Sequence, residues 1–182
     1  MFRNFNWQKY KNIKHPSDSS LKTLGEIKSL HQTPLDKSFA QNYDNIYNVY
    51  KRLFNKRTRK FPADLVKKVI EKSTEPILKI KNYHNRKRPN VVAQDFGINL
   101  PFVKMESAQT PAFPSGHSAQ AYLLKEILSD MFPEMLPEFE KAAKNISKSR
   151  IVANVHYESD KKVGEQLTIK HSKKIINNCI TL

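Results

Sequence analysis

Cysteine is nearly missing from this chain. The single Cys179 excludes an internal disulfide and cannot build a zinc site by itself; it reads as a small buried apolar residue near the C-terminus. Long apolar runs are missing too. No stretch approaches the roughly 18 residues that a bilayer span requires, so no transmembrane segment is expected. The opening "MFRNFNWQKYKNIKHP" has neither an apolar core nor a small-residue cleavage site. These absences point to a soluble, cytoplasmic protein, with a periplasmic or secreted one as the alternative if the N-terminus is not the native one. Val/Ile/Thr alternation is lacking, which argues against a sheet, and there are no repeats or low-complexity linkers. Glycine is scarce at four residues, so any glycine beside chemistry-bearing residues is conspicuous.

Acidic residues are also in short supply. Asp and Glu total 17 against 32 Lys and Arg, for a net charge of +15 over 182 residues. Such a balance suits anionic partners: nucleic acid, an anionic surface or phosphorylated small molecules. The densest basic run, "KRLFNKRTRK" at 51–60, reads as a solvated helix end before Pro62. Most of the remaining charge is dispersed lysine, so nucleic acid is not the expected partner. A hydrophobic content of 38% with 10% aromatics excludes a disordered chain and fits one domain over residues 1–182 with a real core. The sequence sets no oligomeric state; a homo-oligomer is compatible with it.

The periodicity is helical almost throughout. Leu21, Leu24, Ile27 and Leu30 recur at three-residue steps, and Phe39, Tyr43, Ile46, Tyr47, Tyr50, Leu53 and Phe54 suggest one helix over 36–55. Pro62 and Asp64 open another carrying Leu65, Val66, Val69 and Ile70, and Pro76 is expected to start a new one that stops before Pro89. Residues 89–114, with four of the ten prolines, read as a long irregular loop. Helices are then expected at about 115–131, 137–150, 156–170 and 172–180. The expectation is an all-α, single-domain bundle of about seven or eight helices with a long mid-chain loop.

A loop of that length inside a compact domain calls for a function, and its borders carry the unusual residues. Upstream, Lys81 and Arg88 in "KNYHNRKRP" are seven apart, two turns of an ideal helix, and so project to nearly one side. Downstream, "PSGHS" offers a serine N-cap, then Gly116, which lets an anion approach the free N–H groups of a helix start, with His117 in the first turn. In "SRIVANVHYESD", Arg150 ends one helix, while His156 and Asp160 are spaced i, i+4 on the next. A carboxylate one turn from an imidazole fixes its tautomer and makes the other nitrogen a better nucleophile. Cations, a backbone anion nest and two histidines together make a set suited to phosphoryl transfer.

Lys81-x6-Arg88-Pro89, Pro114-Ser115-Gly116-His117 and Ser149-Arg150-x5-His156-x3-Asp160 resemble, in order, the three-part signature of the type-2 phosphatidic acid phosphatase superfamily. That superfamily includes the bacterial class A non-specific acid phosphatases, the closest type in resemblance, and the vanadium haloperoxidases. The likeness covers residues 76–168, with residues 1–75 as N-terminal helices of the same domain. It implies an all-α fold and a phosphomonoesterase requiring no metal and no cofactor. His156 would be the nucleophile forming a phosphohistidine, Asp160 its orienting partner, and His117 the general acid and then base. Lys81, Arg88, Arg150, Ser115 and Gly116 would bind the phosphoryl group of a phosphorylated small-molecule substrate. Other implied activities are a diphosphate or nucleotide phosphatase of the same mechanism, a vanadium haloperoxidase, and a non-catalytic polyanion-binding descendant.

Overall fold

The computed structural model describes residues 7–169; His171, Cys179 and the helix expected at 172–180 lie outside the described residues. These fold into eight α-helices and three short 3-10 turns, with no strand among them. Helix α1 (Leu21–Gln32) is capped by Ser20, whose hydroxyl accepts from Thr23 N, and buries Ile27 and Leu30. Leu21 is 86% exposed, against expectation. Strict three-residue steps drift by about 60° each on a helix of 3.6 residues per turn, so Leu21 ends up opposite Leu30.

The helix expected over 36–55 is two helices, α2 (Lys37–Asn42) and α3 (Ile46–Lys56). Asp36 and Asn45 accept from Phe39 N and Asn48 N respectively, and these side-chain caps stabilise two helix starts in place of one continuous run. Asp44 falls in the break. Helix α3 buries Ile46, Val49, Tyr50 and Phe54. Beyond it the basic run is exposed, with Arg57 on Glu138 and Arg59 on Glu134.

Pro76 does not open a helix. It lies within α4 (Ala63–His84), whose buried stripe of Val66, Val69, Ser73, Ile77 and Ile80 runs unbroken past it. The bond lost at Pro76 is to the carbonyl of Lys72, an exposed residue open to water, and the buried stripe offsets the roughly 3 kcal/mol that an interior proline costs. The chain leaves α4 at Asn85 in the left-handed conformation (φ 45°), its N–H on Lys81 O.

The long loop begins later than expected. Pro89–Asp95 is a helix, α5: proline at the first helical position has no amide bond to lose and a preset φ. Residues 96–115 are then irregular apart from a 3-10 turn at Glu106–Ala108. This strap is tied down at several points. Val103 N donates to Ala153 O, Asn154 Nδ2 to Pro101 O and Ala112 N to Arg86 O.

Helices α6 (Gly116–Met131), α7 (Leu136–Val152) and α8 (Glu158–Ile169) follow. Helix α6 is the central rod. Leu123, Leu124, Ile127 and Leu128 bury against Tyr50 and Phe54 of α3, Val66 and Val69 of α4, and Phe139, Ala143 and Ile146 of α7. Each large apolar side chain so buried stabilises the fold by roughly 1.5–3 kcal/mol, and the Tyr50 hydroxyl donates to Ala121 O at 2.7 Å.

The start of α6 lies against α8 at one glycine. A Cβ on Gly164 would stand 2.5 Å from Ser115 O and 2.9 Å from Ser118 Cβ, too close for either helix to stay in place. Gly164→Ala should therefore lower stability by roughly 1–3 kcal/mol, a fall of several degrees in thermal midpoint at about 2–4 °C per kcal/mol. Gly25→Ala is the contrast: nothing lies within 4 Å of a Cβ there, in the middle of α1, so the midpoint should hold or rise. Thermal unfolding of the two variants checks both.

Candidate active site

The motif residues come from four places in the chain and meet at the lower end of α6. Ser115 caps that helix, its hydroxyl oxygen accepting from Ser118 N and Ser118 Oγ at 3.3 and 2.9 Å. Gly116 and His117 are the first two helical residues. The Ser115 N–H donates to Asp160 O at 3.0 Å, which fixes the α6 entrance to the first turn of α8.

Lys81 and Arg88 do not share a helix face, because the chain turns at Asn85 between them. The strap brings them together instead. Lys81 Nζ donates to Pro111 O at 2.6 Å, and Arg88 Nε to Thr110 O at 2.9 Å. Arg88 Nη1 also donates to Val155 O at 2.6 Å and lies 2.9 Å from His156 Nε2. Arg150, in the last turn of α7, is fully buried. Its Nη1 donates to Asp44 Oδ1 at 2.6 Å and its Nη2 to Ser107 Oγ at 3.1 Å. Its Nε has no hydrogen-bond partner, an uncommon state for a buried donor and one that a bound anion would relieve.

His156 precedes α8, in the turn before it, and Asp160 sits in the helix's first turn. Asp160 Oδ2 accepts from the backbone N–H of Tyr157 at 3.0 Å and lies 3.2 Å from His156 Nδ1. The carboxylate thus satisfies a free N–H of the helix start, as in a capping box, and takes the Nδ1 proton. That tautomer leaves Nε2 with its lone pair toward Arg88. Burial, then the charges of Arg88, Lys81 and Arg150, push the His156 pKa well below the ordinary histidine value, so the ring is neutral over the usual range. Burial and the neighbouring arginines likewise push Lys81 far down, and burial with Arg150 brings Arg88 to about 10. Each cation raises the cost of protonating the next. A dianion among them reverses that effect.

Two residues outside the three motifs complete the site. Asp44, from the break between α2 and α3, accepts from Arg150 and from Ser107 Oγ (2.7 Å) on Oδ1. The same oxygen lies 3.2 Å from His117 Nε2, which also donates to Asp44 O at 2.9 Å. Burial raises the Asp44 pKa, but His117, Ser107 and Arg150 outweigh it and hold the carboxyl well below the usual range. Burial and Arg150 lower His117, and Asp44 pulls it back up. Arg86 is the other. Its guanidinium is wholly buried, stacks 3.7 Å above the ring of Tyr157, and donates to Asp160 Oδ1 at 2.7 Å and Glu26 Oε2 at 3.0 Å. Glu26, from α1, also accepts from Ser159 N at 2.7 Å. Burial raises the Asp160 pKa and Arg86 opposes it most strongly. The sequence offered faint signals for both: a carboxylate in the turn-forming "NYDN", and a second arginine inside "NRKRP".

Among the described residues, the other histidines lie away from this cluster. His84 Nε2 bonds Tyr10 O and its ring meets Phe113. Tyr83 faces Trp7 and is half exposed, and Tyr157 serves Arg86.

No family model matches the chain. An acid phosphatase of Zymomonas mobilis is 28% identical over 102 residues, 56% of this chain and 38% of that protein. Non-specific acid phosphatases of Salmonella typhimurium and Salmonella typhi are each 31% identical over 88 residues, 46% of this chain and 33% of theirs. The matched stretch spans little more than a third of those proteins. In fold, the crystal structure of a transmembrane PAP2 type phosphatidylglycerolphosphate phosphatase of Bacillus subtilis superimposes with a TM-score of 0.60, covering 94% of this chain and 92% of that one at 15% identity. In sequence the chain is similar to these acid phosphatases, and in fold to the PAP2 type phosphatase. Unlike that neighbour, which is described as transmembrane, this chain has no described helix long and apolar enough to cross a membrane.

Asp44→Asn removes the carboxylate that raises the pKa of His117 and leaves burial and Arg150 to act alone. The His117 ring should then titrate at lower pH than in the unaltered protein. Histidine NMR titration of the two proteins checks this; an unchanged or higher His117 pKa would contradict the pairing.

Proposed function

We propose that the chain is a phosphatase that hydrolyses phosphomonoesters without a metal, through a phosphohistidine on His156. The observation that carries this reading is the setting of His156. Its Nδ1–H donates to Asp160, so its Nε2 lone pair is turned toward Arg88, with Lys81 and Arg150 near enough for their charges to act on the ring. Three cations and the Gly116 end of α6 supply positive charge around the equatorial oxygens of a phosphoryl group. Arg150 Nε, without a partner, has a proton to give to one of them. His156 Nε2 attacks phosphorus, the P–O bond to the alcohol breaks, and His117 delivers its proton to the departing oxygen. His117 then takes a proton from water as it displaces His156. The sequence likeness to acid phosphatases supports this activity.

Both histidine pKa values are lowered, His156 the further. Below the His156 value the nucleophile is protonated and inactive, and above the His117 value the acid is lost. The kcat/KM profile should be a bell whose alkaline limb lies below the ordinary histidine value of about 6.5. Hydrolysis of p-nitrophenyl phosphate in the presence of EDTA is the direct check. Activity should resist the chelator, be inhibited by vanadate, and fall by at least about a thousandfold in His156→Ala; the bell itself is read with an alkyl phosphate, whose alkoxide cannot leave without the acid. Loss of activity to EDTA, or its survival in His156→Ala, would contradict the reading.

A further inference from the structure

Beside the phosphate site runs a cleft of about 420 Å³, within the size range of small-molecule pockets. None of its lining outside Arg88 belongs to the three motifs. It shares two walls with the site. Arg88 and Val155 form its inner end, and these are the residues whose guanidinium and carbonyl meet beside His156 Nε2. The 3-10 turn Glu106–Ala108 forms the other. Ala108 lines the cleft while Ser107, one residue before it, bonds Asp44 and Arg150. In-line displacement sends the leaving group away from His156 and toward His117; His117 and Ser107 both bond Asp44, so the cleft meets the departing group at its Glu106–Ala108 wall.

The cleft is more apolar than polar. Val91 of α5 and Phe102 of the strap stand 43% and 45% exposed, with Val103, Met105 and Ala108 beside them; Arg88, Asn90, Lys104 and Gln109 are its polar members, and no carboxylate is among the described lining residues. Exposed large apolar side chains gathered at the mouth of a polar site are a mark of ligand contact. Resting on the phosphatase reading, we infer that this cleft is the leaving-group subsite, and that it selects phosphomonoesters of uncharged apolar alcohols over those of polyhydroxy alcohols.

The test is a series of n-alkyl phosphates from ethyl to hexyl, with glycerol 1-phosphate as the polar comparison, assayed on the unaltered chain and on Val91→Ser and Phe102→Ser. Leaving-group basicity changes little along the alkyl series, so the slope of kcat/KM with chain length reports apolar contact. We expect roughly a twofold to threefold gain per methylene, below the roughly fourfold of full burial because the cleft is open on one side. Butyl phosphate should outrun glycerol 1-phosphate by about tenfold. Both serine variants should flatten the slope; both positions are too exposed for folding to depend on them. A flat series, a preference for glycerol 1-phosphate, or a slope that neither variant changes would overturn the subsite while leaving the phosphatase reading intact. A flat series from a protein that sediments as a dimer would assign the cleft to a second copy of the chain, also overturning it. Absence of hydrolysis across every ester would remove the phosphatase reading itself.

Discussion

One buried carboxylate, Asp160, holds the candidate site together. Its side chain accepts from Arg86 Nη1 and Tyr157 N and takes the His156 Nδ1 proton, while its backbone carbonyl takes the Ser115 N–H. Through these bonds one residue ties α8 to the start of α6 and to the turn after α4. Through Arg86 and Glu26 it also reaches α1. Burying an ion is expensive unless it is paired and its other lone pairs are used, and Asp160 meets both conditions. Removing one partner from such a network costs roughly 3–5 kcal/mol, since the charge left behind stays buried. Helix α1, which carries no motif residue, is thereby coupled to His156.

The second constraint is repulsion. Lys81, Arg88 and Arg150 converge on one small volume, and each lowers the pKa of a neighbour. The protein offsets this with oxygen. The carbonyls of Thr110, Pro111 and Val155 and the carboxylate of Asp44 accept from the three side chains. Three of those acceptors come from the strap over residues 96–115 or the turn before α8, which explains why an irregular segment is so firmly bonded. On the proposed function a phosphoryl group enters with the charge that these acceptors provide in part. Asp44 then has a double character: it raises the pKa of the acid His117, and it occupies the Nε2 proton that a leaving group would need.

The sequence carried the motif positions because their spacing is local: a cap and first turn in Ser115–His117, and an i, i+4 pair in His156 and Asp160. It carried the all-α architecture because the apolar period is helical from end to end. Where local signals competed, the reading failed. Pro76 has the local look of a helix start, though the stripe from Val66 to Ile80 passes through it. Pro89, a real helix start, opens a proline-rich stretch that reads as loop. The Lys81–Arg88 spacing brought both cations to the site by a reverse turn and not by a shared helix face. Asp44, Arg86 and Glu26 carry weaker signals for a different reason. Their partners lie 60 or more positions away, so a turn position for Asp44 and a second arginine beside Arg88 are all that their own neighbourhoods offer, and Glu26 has not even that.

The central claim is that His156 takes the phosphoryl group itself, and trapping that intermediate tests it most directly. In His117→Ala, p-nitrophenolate departs without an acid because it is a stable anion, while the water step has lost its base. Mixing that variant with p-nitrophenyl phosphate should release about one equivalent of p-nitrophenolate, then stall. Peptide mass spectrometry at alkaline pH should place an acid-labile phosphate on His156. Steady release with no burst and no phosphate on the protein, or phosphate on another side chain, would contradict the account.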